Sequence, residues 1–155
     1  MKRAILIILL ASMVLGSCAI MPALPEYPEF HSPSAAWYWI GKNITYKRDI
    51  ETHGRPDDWQ TPAETMESRE GDCEDMAILF ADIMEKQFET DIILSEVILY
   101  NYINDIDYHM TPKINGEFIE KWVYNYTPKT RKEYTWTEMK GILYPDSENS
   151  GMGKR

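Results

Sequence analysis

Between residues 73 and 84, Cys73, Ala77, Phe80 and Met84 recur at intervals of three and four, with Met76 and Ile83 alongside. That stripe predicts an amphipathic helix. Asp72 stands ahead of it as N-cap, which places Cys73 on the buried side of the first turn, at the positive end of the helix dipole. Upstream, Thr61-Pro62-Ala63-Glu64 offers a cap residue, a proline at the first helical position and a glutamate at the third. This predicts a short helix ending before Gly71. Ser34, followed by Trp37, Trp39 and Ile40, predicts another helix, capped by Ser34 and ending between Gly41 and Tyr46. Residues 47–61 are polar, contain Gly54 and Pro56, and read as a loop.

Beyond the long helix the pattern changes. Ile92 to Tyr102 is rich in Ile, Val, Leu and Tyr and predicts a strand, followed by a turn over Asn104 to Asp107. Tyr108 to Ile114 predicts a second strand, and Pro112 marks it as an edge or irregular one. Asn115-Gly116 predicts a tight hairpin with Ile114 opposite Glu117, and Glu117 to Tyr126 is the expected return strand. That register sets His109 near Lys121 or Trp122. Over residues 127–144 the pattern is weaker, with Trp136 and Leu143 expected to cover one side of the sheet. Helices first and an antiparallel sheet afterwards make an α+β domain.

The N-terminus has a different character. Lys2-Arg3 precedes an apolar run of twelve residues, Ala4 to Leu15. A bilayer span needs about 20 residues, so the run predicts an export signal rather than a transmembrane helix. Leu15-Gly16-Ser17-Cys18 follows and resembles the bacterial lipobox, which predicts cleavage before Cys18 and acylation of its thiol. Pro22, Pro25, Pro28 and Pro33 then predict an extended tether. The expected organisation is a signal peptide at 1–17, a proline-rich tether at 18–33, one domain at 34–145 and a disordered tail at 146–155. The chain of 155 residues has room for a single modest core. Its formal net charge of −9 becomes −11 once Lys2 and Arg3 are removed. Such a chain has no basic stripe for a nucleic acid. The expected location is the bacterial cell envelope, with the lipid bilayer as a partner through Cys18.

Acylation of Cys18 would leave Cys73 without an intramolecular disulfide partner, because the chain has two cysteines. A cysteine at a helix N-terminus is a natural nucleophile, since the dipole favours the thiolate. It needs a base and a group to hold that base. Of the three histidines, His31 lies in the tether and His53 in the polar loop, while His109 opens a strand expected near the Cys73 helix. His109 is the strongest base. Glu120 and Asn125 are the candidates for the orienting group, and Glu117 lies too near the turn. The cysteine and histidine occur singly, without paired metal-ligand spacing, so no metal or other cofactor is expected.

Two segments add a resemblance. Asp58-Trp59-Gln60-Thr61-Pro62-Ala63-Glu64-Thr65, then Gly71-Asp72-Cys73-Glu74-Asp75-Met76-Ala77-Ile78-Leu79, resemble the transglutaminase-like superfamily, specifically the bacterial transglutaminase-like cysteine peptidases. The likeness is specific over about residues 37–85. It implies a papain-like fold, with the nucleophile helix packed on a small antiparallel sheet that carries the histidine and then an acid or amide. On this resemblance Cys73 is the nucleophile, His109 the base and Glu120 the third member, where many members have Asp. Trp59 or Gln60 would supply an oxyanion donor from an indole or amide N–H. The implied activity is thiol-dependent hydrolysis or acyl transfer on amide bonds of a peptide or protein substrate. The alternative is an inactive relative serving as a binding or scaffold module of the envelope.

Overall fold

The computed structural model describes residues 25–145, apart from 53, 56, 101–105 and 121–127. Helix α1 (Pro33–Asn43) leads into the short strand β1 (Thr45–Tyr46) and a single helical turn, α2 (Asp49–Thr52). Helix α3 (Pro62–Ser68), strand β2 (Glu70–Gly71) and the long helix α4 (Cys73–Phe88) follow. Strands β3 (Ile92–Tyr100), β4 (Ile106–Ile114), β5 (Glu117–Phe118) and β6 (Lys129–Thr135) come next, and α5 (Trp136–Leu143) closes the domain. Among the described residues no helix is long and apolar enough to cross a membrane.

The helices start where their caps dictate. Ser32, not Ser34, caps α1: its side chain accepts from Ala35 N, and Pro33 takes the first helical position. Proline there has no N–H to leave unpaired, which favours a start two residues earlier than the aromatic pattern indicates. Thr61 and Glu64 form a reciprocal capping box on α3, as the sequence predicts. Asp72 caps α4, and residues 47–61, read as a loop, also hold the single turn α2.

The main sheet has the order β5-β4-β3-β6, all antiparallel. The hairpin register is the expected one, with Ile114 opposite Glu117 and positive φ at Asn115 (52°) and Gly116 (80°). Strand β4, in contrast, is internal rather than an edge. Pro112 pairs opposite Leu94 of β3, and on its other side its carbonyl accepts from Ile119 N at 3.0 Å. The next bond of that ladder would need a Pro112 N–H, which proline lacks. Pairing with β5 therefore stops at Phe118 and the chain turns at Ile119-Glu120. Of the expected Asn104–Asp107 turn, Asn104 and Asp105 lie outside the described residues, while Ile106 and Asp107 already belong to β4; the far part of the return strand lies wholly outside. The weak 127–144 region is β6 and α5, with Trp136 buried and Leu143 packed on the core.

One face of the sheet packs on α4, whose Ala77, Ile78, Leu79, Phe80, Ala81, Ile83 and Met84 are fully buried. Leu94, Met110 and Tyr134 of the sheet join that core, and Trp37 of α1 meets Phe80 edge-on, with centroids 5.4 Å apart. The segment before α1 is docked too. Tyr27 donates to Asp82, Phe30 N donates to Gln87 Oε1 at 3.0 Å, and Gln87 Nε2 donates to Pro28 O at 2.8 Å. Asp82 lies nine residues after Cys73, half a revolution away at 3.6 residues per turn, so Tyr27 meets the helix on the side opposite the thiol.

Candidate active site

Cys73 is the first residue of α4, and three features fix it there. Asp72 and Asp75 form the capping box, in which Asp72 N donates to Asp75 Oδ2 at 3.2 Å. The parallel pair β1–β2 holds the preceding residues, with Lys47 N donating to Gly71 O at 3.0 Å. Burial of the apolar stripe sets the rotation of the helix. Cys73, His109, Trp59, Glu74 and Tyr134 then line one cleft of about 850 Å³. Tyr46, Ile50 and Tyr108, all more than half exposed, form an apolar rim around it.

His109 and Glu120 meet as the sequence register allows but does not dictate. His109 Nε2 lies 2.8 Å from Glu120 Oε2. A continuous strand would put Trp122 opposite His109. The break that Pro112 imposes lets Glu120 fold back to the ring instead. His31 is exposed in the strap, while His53 and Asn125, the alternative base and orienting group, fall outside the described residues.

The thiol's surroundings differ from the expectation of a dipole-lowered pKa. Cys73 Sγ donates to Glu74 Oε2 at 2.9 Å. Burial first, and then the Glu74 carboxyl, push the thiol well above its ordinary value, against a smaller pull from the Met110 N–H. Burial likewise pushes Glu74 up to about 8, with the neighbouring Asp72 adding to it. Asp75 is raised to about 6, again by burial, partly offset by the N–H of Gln60. The dipole of one helix end is outweighed by desolvation and a carboxyl in contact.

The two oxyanion candidates part company. Trp59 lines the cleft, its ring edge-on to Tyr134 with centroids 5.5 Å apart. Gln60 is buried behind it, and its side-chain Nε2 donates to Asp75 Oδ2 at 2.7 Å and Glu70 O at 3.3 Å. Sequence reasoning missed the opposite wall. Arg131 and Lys132 both line the cleft although successive strand residues face opposite ways, because β6 carries a bulge against Glu96-Val97. Arg131 pairs with Glu96, and Lys132 lies over the Tyr134 ring at 4.2 Å. No residue type announces a bulge, so the pattern gave no signal for it.

Several carboxylates gather beside the thiol. Asp49, Asp72 and Asp75 each bring a ligand atom within 4.8 Å of the others, as do Asp49, Asp57 and Glu74. Asp72 Oδ1 is buried with no hydrogen-bond partner. These oxygens are the residues that can hold a metal ion.

The model of the transglutaminase-like domain family matches residues 31–140. Among solved structures the chain is similar to LapG of Legionella pneumophila. The calcium-bound form is 17% identical over 66% of this chain and 62% of that one, with a TM-score of 0.47. A second LapG structure is 17% identical over 72% and 71% of the two chains, with a TM-score of 0.48. The EGTA-treated form is 18% identical over 77% and 72%, with a TM-score of 0.47. The chain thus spans a little under two thirds of the calcium-bound relative's length. No curated protein matches it.

Proposed function

Because the chain belongs to the transglutaminase-like domain family, we propose that it is a thiol-dependent hydrolase or acyl transferase acting on amide bonds, with Cys73, His109 and Glu120 as its triad. The observation that carries this reading is the 2.8 Å contact between His109 Nε2 and Glu120 Oε2, in a cleft that Cys73 also lines. An ionised Glu120 can only accept, so Nε2 carries the proton and Nδ1 is left as the base. His109 takes the Cys73 proton, and Sγ attacks the carbonyl carbon. The oxyanion is met by the Trp59 indole N–H. The C–N bond breaks as His109 protonates the leaving amine, and a thioester remains. Water or a second amine, deprotonated by His109, then attacks the thioester and frees the thiol.

The N-terminal pattern supports an exported, lipid-anchored protein of the bacterial envelope. The test of the activity is acylation of the full-length protein by p-nitrophenyl acetate, followed as p-nitrophenolate release. A burst lost in Cys73→Ala and in His109→Ala is expected. No burst in the parent protein would support the second reading, a binding module, which the thiol's bond to Glu74 favours.

A hard divalent cation fits beside the thiol. The donor set is all carboxylate, as calcium prefers, and the orphaned, buried Asp72 Oδ1 needs a positive partner. Asp49, Asp72 and Asp75 would hold it, and it would neutralise charge around the helix start. A rise in thermal midpoint with millimolar calcium, lost in Asp72→Asn, is the expected result; no rise removes the cation from the reading.

A further inference from the structure

We propose that Asp75 is a positioning residue: through Gln60 it sets Trp59 against the nucleophile. The inference rests on the reading of Trp59 as oxyanion donor. Asp75 is fully buried at the third position of α4, two residues after Cys73. Its carboxylate accepts three protein N–H groups. Oδ1 takes the Gln60 backbone N–H at 2.8 Å, while Oδ2 takes Gln60 Nε2 at 2.7 Å and Asp72 N at 3.2 Å.

Two of those three bonds grip one residue by both its main chain and its side chain. That residue is the neighbour of Trp59. The stretch from Asp57 to Thr61 is neither helix nor strand, so its backbone has no ladder to fix it. Asp75 supplies a fixed point, and Tyr134 stops the Trp59 ring on the other side. Thr61 then begins α3, so the free part of the loop is short.

The local sequence is shaped around this grip. A Cβ on Gly71 would lie 2.7 Å from Asp75 Cβ and 2.9 Å from Oδ2. Only glycine lets the carboxylate fold back over the helix start. The acid also costs something that packing alone would not require. A buried carboxylate is disfavoured by desolvation, and an apolar residue of like size would fill the space more cheaply. What an apolar residue cannot do is accept three N–H groups in fixed directions. The Trp-Gln segment and the Gly-Asp-Cys-Glu-Asp segment are therefore one device, joined at Asp75.

Two probes separate positioning from general damage in the full-length protein. p-Nitrophenyl acetate reacts by forming an S–C bond and breaking the aryl C–O bond, through an oxyanion. Iodoacetamide reacts by displacing iodide at a saturated carbon, with no oxyanion. In Asp75→Asn the amide N–H₂ opposes a Gln60 donor in either orientation, the side-chain N–H₂ or the backbone N–H. Acylation is expected to fall about tenfold or more, toward the roughly hundred- to thousandfold cost of a lost oxyanion donor, with alkylation changed less than about twofold. The reciprocal double variant Asp75→Asn/Gln60→Glu restores a donor–acceptor pair, and acylation is expected to recover most of the loss. Should Asp75→Asn fail to fold, Gln60→Ala removes only the side-chain half of the grip and is expected to show the same selective loss, smaller in size. Equal losses with both probes, or no recovery in the double variant, overturn the proposal. If Trp59→Phe acylates normally, the donor reading fails and the proposal falls with it. If Trp59→Phe is impaired while Asp75→Asn is not, the donor reading stands and only the role of Asp75 is lost.

Discussion

The Cys73 thiol donates its proton to Oε2 of the next residue in the chain, Glu74, at 2.9 Å. The contact holds sulfur in the thiol form, because a thiolate there would face a carboxyl across a hydrogen-bond distance. Replacing Glu74 with Gln removes both the charge and the best acceptor. The thiol pKa is expected to move down, with iodoacetamide labelling at about pH 9, where Glu74 is ionised, accelerated several-fold. Unchanged labelling would mean that burial alone sets the thiol.

The raised carboxyls set a pH dependence of stability. Glu74 and Asp75 titrate at about 8 and about 6 in the folded protein, above the values near 4 of an unfolded chain. A folded state that holds protons more tightly gains stability at low pH and loses it as pH rises through the folded values. The thermal midpoint in a chelating buffer is therefore expected to fall from pH 5 to pH 8. Glu74→Gln should flatten the upper part of that slope, and an equal slope in the variant would contradict the assignment.

Glu120→Gln tests how the base is held. The amide can still accept at Oε1, but it cannot balance a charge on His109. Acylation is expected to drop by about ten- to a hundredfold with little change in thermal midpoint, smaller than the loss on removing the base itself. A full rate in Glu120→Gln would show that something other than this carboxylate orients the ring.

Gly71→Ala should be disruptive despite its small size. Its new methyl group would lie 2.7 Å from Asp75 Cβ, and neither residue has a flexible end to move. A loss of about 1–3 kcal/mol in urea unfolding is expected, as for overpacked interiors.

The strap provides a test away from the cleft. Tyr27→Phe deletes the hydroxyl that donates to Asp82, and Phe30→Ala removes the ring tilted against Trp39 with centroids 5.7 Å apart. The first is expected to cost about 1.5 kcal/mol, as for hydrogen bonds to charged groups. The second should cost more, since it uncovers apolar surface. Neither should alter acylation.

Much of this architecture was legible because it is local. The stripe of α4, the Thr61–Glu64 box and the Asn115-Gly116 turn each lie within a dozen residues and appear where the pattern puts them. Strand β4 was misread as an edge for a good local reason: Pro112 cannot complete a ladder. The structure uses that defect to end β5 rather than to leave β4 bare. Cys73, His109 and Glu120 were nameable, but the contact of Glu120 with His109 depends on that break. The thiol's bond to Glu74 was hidden in plain sequence, since neighbours in a helix normally point apart. The bulge at Arg131 and the grip of Asp75 on Gln60 join distant segments, and no single window contains them.

The docked strap also bears on where such a protein can work. If Cys18 carries lipid, only eight residues lie between it and Tyr27, where the chain is gripped. Fully extended, they reach at most about 30 Å. The cleft would be confined to a thin layer above the bilayer. A target held at that height would meet it at an effective concentration far above its average in the compartment. One standing farther out would never meet it, however well its sequence fitted.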